Sequence, residues 1–183
     1  MSKTAAVILA EGFEEIEAIA VIDVLRRAGI TVFVTGLKDR EVKSARGVRV
    51  ITDVLLSGLK EDIDAVVLPG GGKGAENLAA SKELKEMILK MNSGGKLVAA
   101  ICASPAVVLA PLGVLDGKSA ACFPGMGDRF SARVKFRDEK VAVDGNVITS
   151  QGPATAIEFG LAIAENLAGS AAAKETASKL LLG

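Results

Sequence analysis

Cys102 closes an apolar run, Leu97-Val98-Ala99-Ala100-Ile101, and is followed by Ala103-Ser104-Pro105. The run reads as a buried strand, and proline suits the first turn of a helix because its missing N–H would be unpaired there. The thiol is therefore expected at a strand-to-helix corner, where free amides and the positive end of the helix favour a nucleophilic thiolate. Small neighbours leave room for a sharp bend and for a ligand. The competing reading is a small, inert core residue. Cys122, within residues 119–124, is followed by no helix start and reads equally as core or as a secondary thiol.

Histidine is absent from the chain, which removes imidazole bases, histidine metal sites and the common Ser-His and Cys-His pairs. Any proton transfer needs another group. On a helical wheel Phe13, Ile16, Ala20, Val21, Val24 and Ala28 share one face, with Glu17 near its middle. Burial there disfavours the charged carboxylate, so Glu17 can stay protonated, donate to a thiolate and exchange a proton with substrate. Glu14 and Glu15 read as ordinary helix-start acids that benefit from the dipole. Ile19 and Ile22 make the opposite face apolar as well, which suggests packing against another subunit.

Pro69-Gly70-Gly71-Gly72-Lys73-Gly74 ends another apolar strand. A glycine-rich turn lets backbone amides approach a ligand and stabilise an oxyanion, although four glycines also simply make a tight connection. Gly70, Gly72 and Ala75 satisfy a permissive dinucleotide pattern. However, Pro69 intrudes, the turn is not the first strand-to-helix turn, and Gly94, Gly95 and Lys96 stand where a ribose-binding acid belongs.

These groups need a scaffold, and 183 residues with 50% hydrophobic content supply one domain spanning residues 1–183. Strands are expected at residues 4–10, 31–36, 64–68 and 96–101, and helices at 14–28, 81–92 and from about 103. This alternation implies a mostly parallel α/β sheet with helices on both faces. Shorter strands are expected at 48–53 and 133–150, each region with a hairpin, then helices at 154–168 and 170–182. The uncharged stretch 97–115 is interrupted by Pro105, Pro111 and Gly113, so it reads as a strand entering a buried helix and not as a membrane span.

Twenty-two basic residues balance 22 acidic ones without long blocks, which argues against nucleic-acid or membrane partners. Two cysteines are too few for a disulfide framework or a thiolate zinc site, and no export signal is apparent, so a cytoplasmic protein with free thiols is expected.

Residues 7–17 (VILAEGFEEIE), 67–71 (VLPGG), 99–105 (AAICASP) and 150–155 (SQGPAT), with Glu158-Phe159, together resemble the ThiJ/PfpI superfamily in its DJ-one branch. The resemblance implies a flavodoxin-like three-layer sandwich, a homodimer, and a nucleophile elbow at Cys102 with Glu17 hydrogen-bonded to it. It further implies Gly71 and Ala103 as backbone donors beside the thiol, and Arg46 near the partner subunit's site. Many members carry a histidine near the cysteine; here the stretch 121–124 reads Ala-Cys-Phe-Pro, which argues against the peptidase branch.

The implied activities are glutathione-independent conversion of glyoxal or methylglyoxal to a hydroxy acid, repair of early glycation adducts, and oxidative-stress sensing or chaperoning. Two readings follow. In one, Cys102 adds to a reactive carbonyl or glycated substrate as a hemithioacetal and Glu17 shuttles the proton, with no metal or organic cofactor. In the other the protein is not an enzyme, and reversible oxidation of Cys102 makes it a redox sensor or chaperone.

Overall fold

The structure, a computed structural model, describes residues 2–59 and 62–182. Its strands are β1 (Thr4–Leu9), β2 (Thr31–Gly36), β3 (Glu41–Lys43), β4 (Arg49–Ile51), β5 (Val54–Leu55), β6 (Ala65–Leu68) and β7 (Leu97–Ile101), followed by β8 (Ser119–Ala120), β9 (Lys135–Phe136), β10 (Val141–Asp144) and β11 (Val147–Ser150). Helices are α1 (Glu15–Arg27), α2 (Gly72–Ala80), α3 (Lys82–Ser93), α4 (Ala156–Ala168) and α5 (Ser170–Lys179). Seven strands form one sheet in the order β10-β11-β7-β6-β1-β2-β5. Only the β10–β11 hairpin is antiparallel within it. This is the flavodoxin-like α/β arrangement.

Strand alternation divides the core between the two faces of the sheet. Val7 and Leu9 of β1 pack with Ala18, Val21 and Leu25 of α1 and Phe159 and Ile163 of α4. Ala6 and Ile8 point the other way, toward Leu78 of α2 and Leu84 and Ile88 of α3. Because both faces are covered, the central strands are apolar throughout and do not alternate with polar residues.

The expected helix at 81–92 is α3, with Ser81 capping it through Oγ, which accepts from the Leu84 N–H at 3.2 Å. The expected hairpins are β3–β4 and β10–β11. Three expectations need correction. The glycine-rich stretch closes directly into α2, a helix that glycine's poor propensity conceals. The segment after Cys102 is no regular helix: Pro105–Leu109 forms one wide turn and Ala110–Leu112 a tight one, stopped at Gly113 with φ +71°. On α1 the buried stripe is rotated from the expected one, with Ile22 inside and Ile16 56% exposed. The reason is that α1 is covered from two directions, by the sheet and by α4, where Gly160 lies against Val24.

Among the described residues no helix is long and apolar enough to cross a membrane.

Candidate active site

Chain order reverses around β1, which lies between β2 and β6, so the carboxyl ends of β1, β6 and β7 open on a topological switch point. Each contributes one part of the site. The turn after β1 leads into α1 and Glu17, β6 runs into Pro69-Gly70-Gly71, and β7 ends at Cys102. Leu68 pairs with Ala100, so Gly70 and Cys102, each two residues further on, arrive at the same level.

Cys102 has φ +66°, a left-handed conformation that costs a residue with a Cβ about 1–2 kcal/mol. Two hydrogen bonds hold it there: its N–H donates to Ser150 O at 2.9 Å, and its carbonyl accepts from the Phe123 N–H at 2.8 Å. The elbow is thus clamped by the end of β11 and the loop after β8. Its side chain is buried, with 8% exposure remaining.

Glu17 is fully buried on α1. The helix is fixed at its start by Glu14, whose Oε2 accepts from the Glu17 N–H at 2.8 Å. Glu17 Oε2 accepts from the Gly70 N–H at 2.7 Å, while Oε1 has no partner of good hydrogen-bond geometry. The carboxyl and the Cys102 thiol nevertheless lie close enough to influence each other's protonation. A Cβ on Gly70 would stand 2.5 Å from Cys102 Cβ, 2.7 Å from Glu17 Oε2 and 3.0 Å from the sulfur. Gly70 is therefore the spacer that lets acid and thiol meet.

Burial pushes Glu17 up to about 7, against the lowering influence of Cys102 and the Gly70 amide. Burial, with the Glu17 charge next, pushes Cys102 up to about 12, against the lowering influence of the Gly71 and Ala103 amides. This corrects the expectation of a thiol made acidic by its backbone position alone. The turn that follows is too short to supply a strong dipole, and two amides do not offset the loss of water. Between these limits the pair holds one proton. These values put that proton on the sulfur and leave Glu17 ionised beside it, with the Gly71 and Ala103 amides acting to lower the thiol.

Cys122 is buried, and burial pushes its thiol up to about 11. Its neighbour Phe123 touches the elbow through the backbone and shields Gly152, whose Cβ position would be 3.5 Å from the ring. Arg46 is exposed on the β3–β4 turn, where its N–H donates to Glu15 Oε1 at 3.1 Å. Within one chain it does not contribute to the protonation of either Cys102 or Glu17. Sequence reasoning missed Gly70 as the partner of Glu17, and Ser150 and Phe123 as the elbow's clamps; only the glycine run carried a signal for the first.

Fold and site define a cysteine elbow paired with a buried acid at the switch point of a flavodoxin-like sheet. The chain belongs to the DJ-1/PfpI family, whose pattern residues 3–166 match. It is 48% identical over 185 residues to Protein dj-1beta of Drosophila melanogaster, covering 100% of this chain and 98% of that protein. The crystal structure of Drosophila melanogaster DJ-1beta superposes with a TM-score of 0.95 at 46% identity, over 100% of both chains. Glutathione-independent glyoxalase DJR-1.2 of Caenorhabditis elegans is 38% identical over 161 residues, covering 87% of this chain and 85% of that protein.

Proposed function

We propose that this protein is a cysteine-dependent enzyme acting on small reactive carbonyls, converting methylglyoxal and related aldehydes to hydroxy acids without glutathione. The observation that carries the reading is the contact of a fully buried carboxyl with a thiol on a strained elbow. The similarity to a glutathione-independent glyoxalase supports the same class.

The chemistry balances with the chain's own groups. Cys102 sulfur adds to the aldehyde carbon as Glu17 takes the thiol proton, and the Gly71 and Ala103 amides support the oxyanion of the hemithioacetal. Glu17 hands that proton to the oxyanion and, a carboxylate again, moves the proton of the same carbon to the adjacent ketone carbon while the hydroxyl proton passes to the ketone oxygen, which oxidises the first carbon to a thioester and reduces the second to an alcohol. Water hydrolyses the thioester, releasing lactate and the free thiol. No external oxidant or reductant is consumed.

A second copy of the chain is part of this proposal. Ile16, Ile19, Val48 and Ile51 are 44–74% exposed. We propose that they belong to one interface, since Glu15 ties the start of α1 to the β3–β4 turn through Ser44 Oγ at 3.0 Å and the Arg46 N–H. Arg46, on that turn, is the residue proposed to reach the partner's site.

The test is repeated turnover. Purified protein given excess methylglyoxal is expected to release many equivalents of lactate, with Cys102→Ser inactive. Trapping of a single equivalent without release overturns the enzymatic reading in favour of a Cys102-based redox sensor.

A further inference from the structure

The Pro69–Gly70 peptide unit is held from both sides. Its N–H donates to Glu17 Oε2 at 2.7 Å, and its carbonyl, Pro69 O, accepts from Ser104 Oγ at 2.6 Å. In a trans peptide these two groups point in opposite directions from one rigid plane, so Ser104 and Glu17 grip the same plate at opposite edges. Ser104 is fully buried and belongs to the elbow itself, two residues beyond Cys102. Pro69 and Gly70 are buried too, so water does not replace either bond.

We infer that Ser104 is a positioning residue for the proposed site, its hydroxyl locking the Pro69–Gly70 peptide so that the Gly70 amide stays aimed at the Glu17 carboxyl. The bond acts in two ways. It fixes the rotation of the plane, which a proline and three glycines would otherwise leave to the turn alone. It also polarises the peptide: a carbonyl that accepts a hydrogen bond makes the N–H of the same unit a stronger donor. That stronger donor favours the ionised form of Glu17, the form that takes the thiol proton. Ser104 thus couples the elbow to the acid without touching the sulfur, and the inference rests on the Cys102–Glu17 chemistry proposed above.

The experiment is the pH–rate profile of Cys102 alkylation by iodoacetamide, followed by mass spectrometry of the peptide containing Cys102. Ser104→Ala is expected to raise the midpoint by about half a pH unit, or about a 3-fold slower reaction below it. Ser104→Thr, which keeps the hydroxyl, is expected to return the wild-type midpoint. In a Glu17→Gln background the same Ser104→Ala change should leave the midpoint where Glu17→Gln alone puts it, because the carboxyl through which Ser104 acts is gone. An unchanged midpoint in folded Ser104→Ala overturns the inference, as does an equal shift with and without Glu17. Should Ser104→Ala fail to fold, Ser104→Gly faces the same criterion. Alkylation requires no carbonyl substrate, so a wild-type protein that fails to turn over methylglyoxal overturns the proposed function by a separate measurement.

Discussion

The Gly70 amide and the Glu17 carboxyl, 2.7 Å apart, join the turn after β6 to the first helix beside Cys102. This contact explains how a fully buried acid remains titratable near neutrality. Burial alone would drive the carboxyl further up, and Cys102 together with the Gly70 amide holds it at about 7.

The first consequence concerns reactivity. Below pH 7 both members of the pair are protonated; above it Glu17 is ionised and, on the proposed mechanism, is able to take the thiol proton as the sulfur attacks. Alkylation of Cys102 is therefore expected to rise through a midpoint near 7, set by Glu17. In Glu17→Gln the thiol must lose its proton to water from a buried position, and the midpoint is expected to move up by about one unit or more. Iodoacetamide rates from pH 5 to 10 check this, and superimposable profiles for the two proteins would refute the coupling.

The same burial has an opposite effect on stability. The folded Glu17 value lies above its ordinary 4.5, so the native state is most favoured below about pH 4.5 and loses that advantage as pH climbs to and through 7. At pH 8 the shift is a penalty of about 3 kcal/mol. Glu17→Gln, neutral at every pH, is expected to unfold at higher temperature than wild type at pH 8 and to lose that margin at pH 5. Calorimetry at the two pH values measures the difference; an equal margin at both would mean that the charge is not its source.

Gly70 gives a steric test of the same geometry. The methyl of Gly70→Ala falls 2.5 Å from Cys102 Cβ and 2.7 Å from Glu17 Oε2, well inside van der Waals contact, so the turn must retreat and separate acid from thiol. Overpacking of this kind costs about 1–3 kcal/mol. A displacement of an ångström at reacting groups costs about 100-fold in kcat. Lactate formation is expected to fall by that factor in protein that still melts cooperatively, and near-normal turnover would show that the contact does not matter to the chemistry.

How much of this was legible in the chain depends on which force set each feature. Strands β1, β2, β6 and β7 stand out because continuous apolar runs have one good place to go, between two layers of helices. Cys102 and Glu17 were visible as residues out of keeping with their surroundings, one at the end of such a run and one on an apolar face. Helix α2 was hidden because Gly72 and Gly74 depress its propensity. Gly74 is required there by tertiary contact, as its Cβ would stand 2.8 Å from Phe13 Cα. The state of the thiol was misread because local backbone position suggested a depressed value, whereas desolvation is a property of the whole assembled site. Ile16 and Ile22 exchanged roles because a wheel assumes one buried direction and α1 has two. The Pro69–Gly70 clamp joins residues 35 and 53 positions apart and has no local signature at all.

That same two-sided burial of α1 defines the final expectation. The sheet and α4 take Ala18, Val21, Ile22 and Leu25, leaving Ile16 and Ile19 exposed, and Glu15 ties the same helix to the β3–β4 hairpin, where Val48 and Ile51 are exposed too. Nothing within the described residues covers these side chains, and a second copy meeting them across a two-fold axis would place α1 against α1. An aspartate at Ile16 would then be buried twice over in the dimer without a counter-ion, yet it would be solvated in the monomer. Sedimentation velocity is expected to give a mass twice that of the chain for wild type and a dimer weakened by about 100-fold or more for Ile16→Asp. Circular dichroism should be unchanged, since the side chain is already exposed in the single chain. A monomeric wild type at micromolar concentration, or an Ile16→Asp dimer of undiminished affinity, would remove this face from the interface and with it the role proposed for Arg46.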